Sequence, residues 1–243
     1  MSNPVKEHFK MVRGTELFAA VYGHKNNRPT VVLDAGYGDY SKAWHDILPG
    51  IKAELEVVAY DRAGLGKSGG ANHPRTSDEM VTELNLLLTE MKIEPPYLLV
   101  GHSFGGINMR AYATKHPEKV SGLILIDSTP EDYIEKFLPV MPEDFQARYY
   151  KQFTLEGSFA EFQKSLHLTG RTRKTLDLPV IILAAGNKAH YTMEAQSLWN
   201  EMQKGLLSLS KESELIMAEN STHYIQRDEP ELVIEAIKKL AHA

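Results

Sequence analysis

Short apolar runs of β-type residues alternate along this chain with longer segments whose apolar residues recur at helical spacing, and this alternation narrows the fold more than any other feature. Residues 8–12 and 16–22 (Glu16-Leu-Phe-Ala-Ala-Val-Tyr22) read as an opening antiparallel hairpin turned at Arg13-Gly14-Thr15. Then come Thr30-Val-Val-Leu-Asp-Ala35, Leu55-Glu-Val-Val-Ala-Tyr60, Tyr97-Leu-Leu-Val100, Val120-Ser-Gly-Leu-Ile-Leu-Ile126, Pro179-Val-Ile-Ile-Leu-Ala184 and Glu214-Leu-Ile-Met217. Most are nearly continuous in apolar residues, as strands covered on both faces must be. Between them Met80, Leu84, Leu87, Leu88 and Met91 share one helical face, and Val233, Ile237 and Leu240 share another. Each stripe would pack on a sheet. The expectation is an α/β protein, a largely parallel sheet with helices on both faces.

One segment breaks the rhythm. About fifty residues separate Ile126 from Pro179, too many for a single crossover. Ser128 to Asp177 therefore reads as a helical cap inserted into a single domain that spans residues 1–243. Pro130, Pro139, Pro142, Gly157 and Gly170 would divide it into two or three short helices, because both residue types end helices.

Composition narrows the chemistry. With 27 Lys and Arg against 32 Asp and Glu, the net charge is −5, and no basic block is present. That balance disfavours a nucleic acid or an anionic membrane as partner. The chain has no cysteine, so thiolate catalysis, disulfides and cysteine-bound metals drop out, and histidine, carboxylate and hydroxyl chemistry remain. Nothing in the sequence asks for a cofactor or a metal. The polar start, Met1 to Lys10 with Pro4, lacks the apolar stretch of a secretory signal, and no apolar run approaches 18 residues; a soluble cytoplasmic protein is expected.

The most informative residues are Gly101-His102-Ser103-Phe104-Gly105-Gly106, which follow an apolar strand and precede a helical pattern. This is G-x-S-x-G in the context its chemistry requires. A sharp strand-to-helix turn forces the serine into a strained backbone conformation and exposes its hydroxyl, and the flanking glycines relieve the crowding. The helix that starts there also aims backbone N–H groups at charge developing beside the serine. His102 is read as a structural neighbour of Ser103, because adjacent residues on a tight turn point apart.

Together with Val32-Leu-Asp-Ala-Gly-Tyr-Gly38, Tyr60-Asp-Arg-Ala-Gly-Leu-Gly-Lys-Ser68 and Ser221-Thr-His-Tyr-Ile-Gln-Arg-Asp-Glu-Pro230, this motif makes the chain resemble the α/β-hydrolase fold family over essentially its whole length. The resemblance implies three layers around an eight-stranded, mostly parallel sheet. It also implies a serine–histidine–acid triad in that chain order and a cap after the sixth strand. Of the ten histidines only His223 sits between the last strand and the C-terminal helix, where chain order puts the base. His8, His24, His73, His116, His167, His190 and His242 are read as solvent-facing or packing residues, with His45 kept as a second candidate for lining a pocket.

The acid departs from the common family pattern, which places an aspartate in the loop after the strand that follows the cap. Here that loop is Ala185-Gly-Asn-Lys-Ala-His-Tyr-Thr-Met193, and it holds no carboxylate. Asp127, at the end of the preceding strand, is the alternative position that some members of this fold use; carboxyl ends of strands are where such sheets gather their ligands. Glu194 and the absence of any functional acid stay open beside it. For the oxyanion hole, one donor is the backbone N–H of Phe104 after the nucleophile. By similarity to the family, the other is the N–H of Tyr37.

Gly64-Leu-Gly-Lys-Ser-Gly69 matches G-x-G-x-x-G but opens no long helix, and the phosphate-loop pattern needs a glycine where Asp61 stands, so it reads as a turn held with Asp61 and Arg62 by local charge and hydrogen bonds. A serine nucleophile disfavours dehalogenase and epoxide-hydrolase chemistry, which use aspartate there on this fold, and favours acyl transfer. The cap residues Tyr133, Phe137, Leu138, Met141, Phe145, Tyr149, Tyr150, Phe153, Phe159 and Phe162 suggest a pocket for a small or medium acyl or aromatic group, although packing within the cap accounts for at least half of them. Arg171-Thr-Arg-Lys174 is a candidate for a substrate carboxylate or, more simply, a solvated linker. The reading is a carboxylesterase-like hydrolase acting on a small ester-like molecule. Lactones, peracids, carbon–carbon bonds of diketones, or use as a small-molecule receptor are the alternatives.

Overall fold

The computed structural model describes residues 5–171 and 175–243. Eight strands form one sheet: β1 (Lys6–Val12), β2 (Thr15–Tyr22), β3 (Thr30–Asp34), β4 (Val57–Tyr60), β5 (Tyr97–His102), β6 (Val120–Ile126), β7 (Val180–Ala185) and β8 (Ser213–Ala218), in the order β1-β2-β4-β3-β5-β6-β7-β8. β2 pairs antiparallel with both β1 and β4, and every pair from β4 to β8 is parallel. The helices are α1 (Leu48–Ile51), α2 (Ser77–Glu90), α3 (Phe104–Lys115), α4 (Glu143–Lys151), α5 (Phe159–Arg171), α6 (Met193–Gly205), α7 (Ile225–Asp228) and α8 (Pro230–Ala241). Among them no helix is long and apolar enough to cross a membrane.

The strand pleat sends alternate residues to opposite faces. Val32, Val58, Leu99, Leu123 and Leu125 pack with Val81, Leu84, Leu87 and Leu88 of α2 and with Met109 and Tyr112 of α3. Val31, Leu33, Val57, Leu98, Val100 and Ile124 pack on the other face with α1 and with Val233, Ile234 and Ile237 of α8. Burying one such side chain contributes about 1.5–3 kcal/mol, which is why both helix stripes found in the sequence turn inward. The strands β5 and β8 run slightly past their apolar cores. His102 still pairs with Ile126, for example, because the backbone ladder continues after the apolar side chains end.

Strand order reverses between β3 and β5, and at such switch points the loops leave the sheet in opposite directions and open a crevice. The loop after β3 and the turn after β5 meet there. Above it, residues between β6 and β7 form short helical turns at Tyr133–Phe137 and Leu138–Val140, then α4 and α5. This helical segment packs against Trp199 and Met202 of α6 through Tyr133, Phe137, Leu138 and Met141, and against Met80, Phe104 and Ile107 through Phe153, Phe162 and Leu166.

Candidate active site

Ser103 stands between β5 and α3 with φ 53° and ψ −118°, a conformation that non-glycine residues avoid. Its backbone is held there by its N–H donating to Ile126 O at 3.0 Å and by the Gly106 N–H donating to its carbonyl at 3.0 Å. The flanking glycines are needed on steric grounds: a Cβ on Gly105 would lie 2.2 Å from the Asp34 carbonyl oxygen, and one on Gly101 would lie 2.5 Å from that of Gly105. The motif thus lets β3, β5 and α3 approach closely enough to hold the strained turn.

Asp127 follows β6, fully buried, with φ 42°. Its Oδ1 accepts from Trp199 Nε1 at 2.8 Å and from the Ala185 N–H at 3.1 Å. Its Oδ2 lies 2.6 Å from His223 Nδ1 and 2.7 Å from Lys188 Nζ. Burial works against the charged form, but the Lys188 ammonium and the hydrogen bond from His223 outweigh it and hold the carboxyl well below the usual carboxylate range. With Nδ1 donating to Asp127, His223 keeps Nε2 as an acceptor. Ser103 and His223 border the same cavity.

His102 does not border that cavity and is buried, with Nε2 2.9 Å from the His223 carbonyl oxygen and its ring 4.6 Å from the His223 ring. The carbonyl can only accept, so Nε2 carries the proton. Burial, then the neighbouring His223, pull the His102 pKa down to about 3. Glu194 is exposed in the first turn of α6 and does not border the cavity. His45 does not line it either: its side chain is 83% exposed and pairs with Asp46 on the surface, because the segment before α1 turns Ala43, Trp44 and Ile47 inward instead. His190, read as solvent-facing or packing, is exposed, stacks 5.6 Å from Phe145 and borders the cavity.

Tyr37 and Phe104 also border the cavity. The Tyr37 hydroxyl donates to Gly157 O at 2.5 Å and accepts from the Gly157 N–H at 2.8 Å, which ties the loop after β3 to the helical segment above. Arg62 reinforces that tie. Its guanidinium contacts Asp34, donates to the carbonyls of Ala35 and Gly36 at 2.7 Å each, and holds Glu156 bidentately at 2.5 and 2.8 Å. The sequence reading of a locally held turn applies to Asp61, which accepts from the Lys67 N–H at 2.7 Å, but not to Arg62, whose partner Glu156 lies 94 residues on.

The cavity measures about 330 Å³. Phe145, Tyr149, Phe162, Tyr133, Tyr191 and Trp199 give it an aromatic lining, with Thr129, Gln152, Lys188 and Tyr224 beside them. Of the ten apolar and aromatic residues singled out between β6 and β7, Tyr133, Phe145, Tyr149 and Phe162 border it, while Phe137, Leu138, Met141 and Phe153 are buried in packing. The cluster Arg171–Lys174 lies outside the side chains described. Among the described residues no three His, Asp or Glu side chains gather as metal ligands would.

The sheet and the strand-end site define an α/β hydrolase. A family profile described as the alpha/beta hydrolase fold matches residues 29–215, and the chain belongs to that family. The uncharacterized protein YqjL of Bacillus subtilis (strain 168) is 36% identical over 209 residues, covering 86% of this chain and 81% of that one. The putative carbamate hydrolase RutD of Yersinia enterocolitica is 37% identical over 102 residues, 42% of this chain and 36% of its own length. Among solved structures, the enol-lactonase from Burkholderia xenovorans LB400 matches with a TM-score of 0.71 at 16% identity, over 97% of this chain and 100% of that one, a likeness of fold alone.

Proposed function

We propose that the protein is a serine hydrolase that cleaves carboxylic esters of small or medium acyl or aryl acids through an acyl-enzyme, with Ser103 as nucleophile, His223 as base and Asp127 as the acid. The observation that carries this reading is the strained Ser103 backbone at the end of β5 beside an imidazole whose Nδ1 is bound 2.6 Å from a buried carboxylate. His223 Nε2 takes the Ser103 proton as Oγ attacks the ester carbonyl. The tetrahedral oxyanion is met by the backbone N–H groups of Tyr37 and Phe104. His223 then returns the proton to the leaving alcohol, and water repeats the sequence on the acyl-enzyme. The role of Asp127 is to hold the tautomer and stabilise the imidazolium that forms in each half-reaction.

The helical segment between β6 and β7 acts as the cap that selects the acyl group. Its share of the cavity wall is mostly aromatic, which favours flat aryl or compact acyl groups over long flexible chains. Hydrolysis takes place in the cytoplasm in this reading. A fluorophosphonate probe labels Ser103, and short-chain or aryl p-nitrophenyl esters turn over at a rate that Ser103→Ala abolishes. A folded protein that the probe leaves unlabelled points instead to a receptor on this fold. Labelling without ester turnover shifts the reaction to lactones, peracids or diketone carbon–carbon bonds.

A further inference from the structure

Lys188 is the residue of the site that the catalytic scheme above does not use. It stands in the loop after β7, with its side chain 1% exposed and its ammonium 2.7 Å from the same Asp127 oxygen that binds His223. The ammonium also lies 3.6 Å from the centre of the Trp199 ring and 5.0 Å from that of Tyr191. Trp199 in turn binds the other oxygen of Asp127. The loop is fixed to the chain that leads to His223: the Gly186 N–H donates to Ala218 O at 2.9 Å and the Asn187 N–H to Ser221 O at 3.0 Å. An ammonium boxed in this way cannot swing into solvent to leave the carboxylate to the imidazole alone.

We propose that Lys188 is a positioning residue that sets the pH at which His223 can take the Ser103 proton, by sharing Oδ2 of Asp127 with the imidazole. The proposal rests on the triad reading. A positive charge on the oxygen that supports the imidazolium makes that imidazolium less stable, so His223 is free to act as a base at lower pH than a carboxylate devoted to it would allow. The other groups that face the pair are weaker influences. Tyr133 and Tyr191 have their pKa values raised, mainly by burial, and are neutral across the working range. His102 is held neutral behind the His223 ring. His190 is exposed. Tyr224, whose ring is 5.6 Å from that of His223, sits beneath Arg227, and that cation is itself 4.0 Å from Asp39. Burial, opposed by Asp127, brings the Lys188 pKa down to about 8, so its charge is present below that pH and fades above it.

The test is the rate of Ser103 phosphonylation by a fluorophosphonate from pH 5 to 9, a readout that needs no knowledge of the substrate. In Lys188→Met the acid limb moves up by about one pH unit, so that labelling on that limb is about tenfold slower than in the wild type. The two profiles converge above about pH 8. Lys188→Gln gives the same displacement and serves if the methionine does not pack. Lys188→Arg keeps the charge and the wild-type limb. Superimposed limbs in the neutral variants, or a loss that is equal at every pH, overturn the proposal; the second result makes Lys188 a purely structural residue. A wild-type protein that is folded but not labelled overturns the triad reading, and this proposal with it.

Discussion

Two buried ion clusters flank Ser103, and they are built differently. On the side of the loop after β3, one guanidinium, Arg62, is held by two carboxylates, Asp34 and Glu156, and by two carbonyls. Asp34 also accepts from Asn108 at 3.0 Å, and Glu156 from the Gly38 N–H at 3.2 Å. Every member of that cluster has several partners, so it acts as a brace. On the other side one carboxylate, Asp127, serves an ammonium and an imidazole through a single oxygen. In the proposed mechanism one of those two partners, the imidazole, gains and loses a proton in each half-reaction. A cluster that only holds geometry spreads several acceptors around one cation; a cluster proposed for proton transfer gathers two donors on one oxygen.

The comparison makes different demands on the two sides. Removing the acid, Asp127→Asn, leaves the wrong hydrogen-bonding partner for His223 Nδ1, and kcat should fall by about 10⁴-fold, measured on a p-nitrophenyl ester. If the amide variant keeps full activity, the role proposed for Asp127 is wrong. Removing the brace, Arg62→Met, strands two buried carboxylates and should destabilise the fold by about 3–5 kcal/mol in urea unfolding. An unchanged midpoint there means that the cluster does not brace anything.

A milder change sharpens the contrast. Glu156→Gln keeps the shape of the brace but removes one charge and weakens its grip on the Gly38 N–H and, through Arg62, on the carbonyls of Ala35 and Gly36. Stability should drop by about 1–3 kcal/mol. The oxyanion loop, less firmly placed, should then lower kcat several-fold while the pH profile keeps its position. A displaced profile would show that the two clusters are coupled across Ser103.

How much of this was legible in the sequence follows from how local each signal is. The sheet was, because strand runs and helix stripes are written in neighbouring residues. Ser103 was too, because its geometry is enforced by Gly101 and Gly105 within two positions. His223 needed the chain order of a family, and Asp127 needed the absence of a carboxylate from the loop Ala185–Met193 as well. Lys188 sits in that very loop and carried no signal. A lysine in a polar loop looks solvated, and its burial comes from Asp127 and Trp199 on two other elements. Arg62 was misread as local for the same reason, its partner Glu156 being set by how the segment between β6 and β7 folds back over the sheet.

The smallest effect concerns His102, which belongs to neither cluster yet lies against the imidazole of one and the loop of the other. Its folded pKa of about 3 lies below the ordinary histidine value of 6.5, so the unfolded chain binds its proton more readily than the folded one. The stability it contributes is therefore complete above about pH 6.5 and is lost as the pH falls from there toward about 3, by about 1 kcal/mol at pH 5.5. The half-buried His8 and the more exposed His190 are shifted in the same direction, again mainly by burial, so the informative difference is between wild type and variant rather than the wild-type slope alone. His102→Gln, which can still donate to the His223 carbonyl, should flatten the dependence of the unfolding free energy on pH between 6.5 and 5 while leaving ester turnover at neutral pH within a few-fold of wild type. An unaltered slope would mean that His102 gains its proton inside the folded protein, and that the space between the two clusters is wetter than its packing against Gly36 and Tyr224 implies.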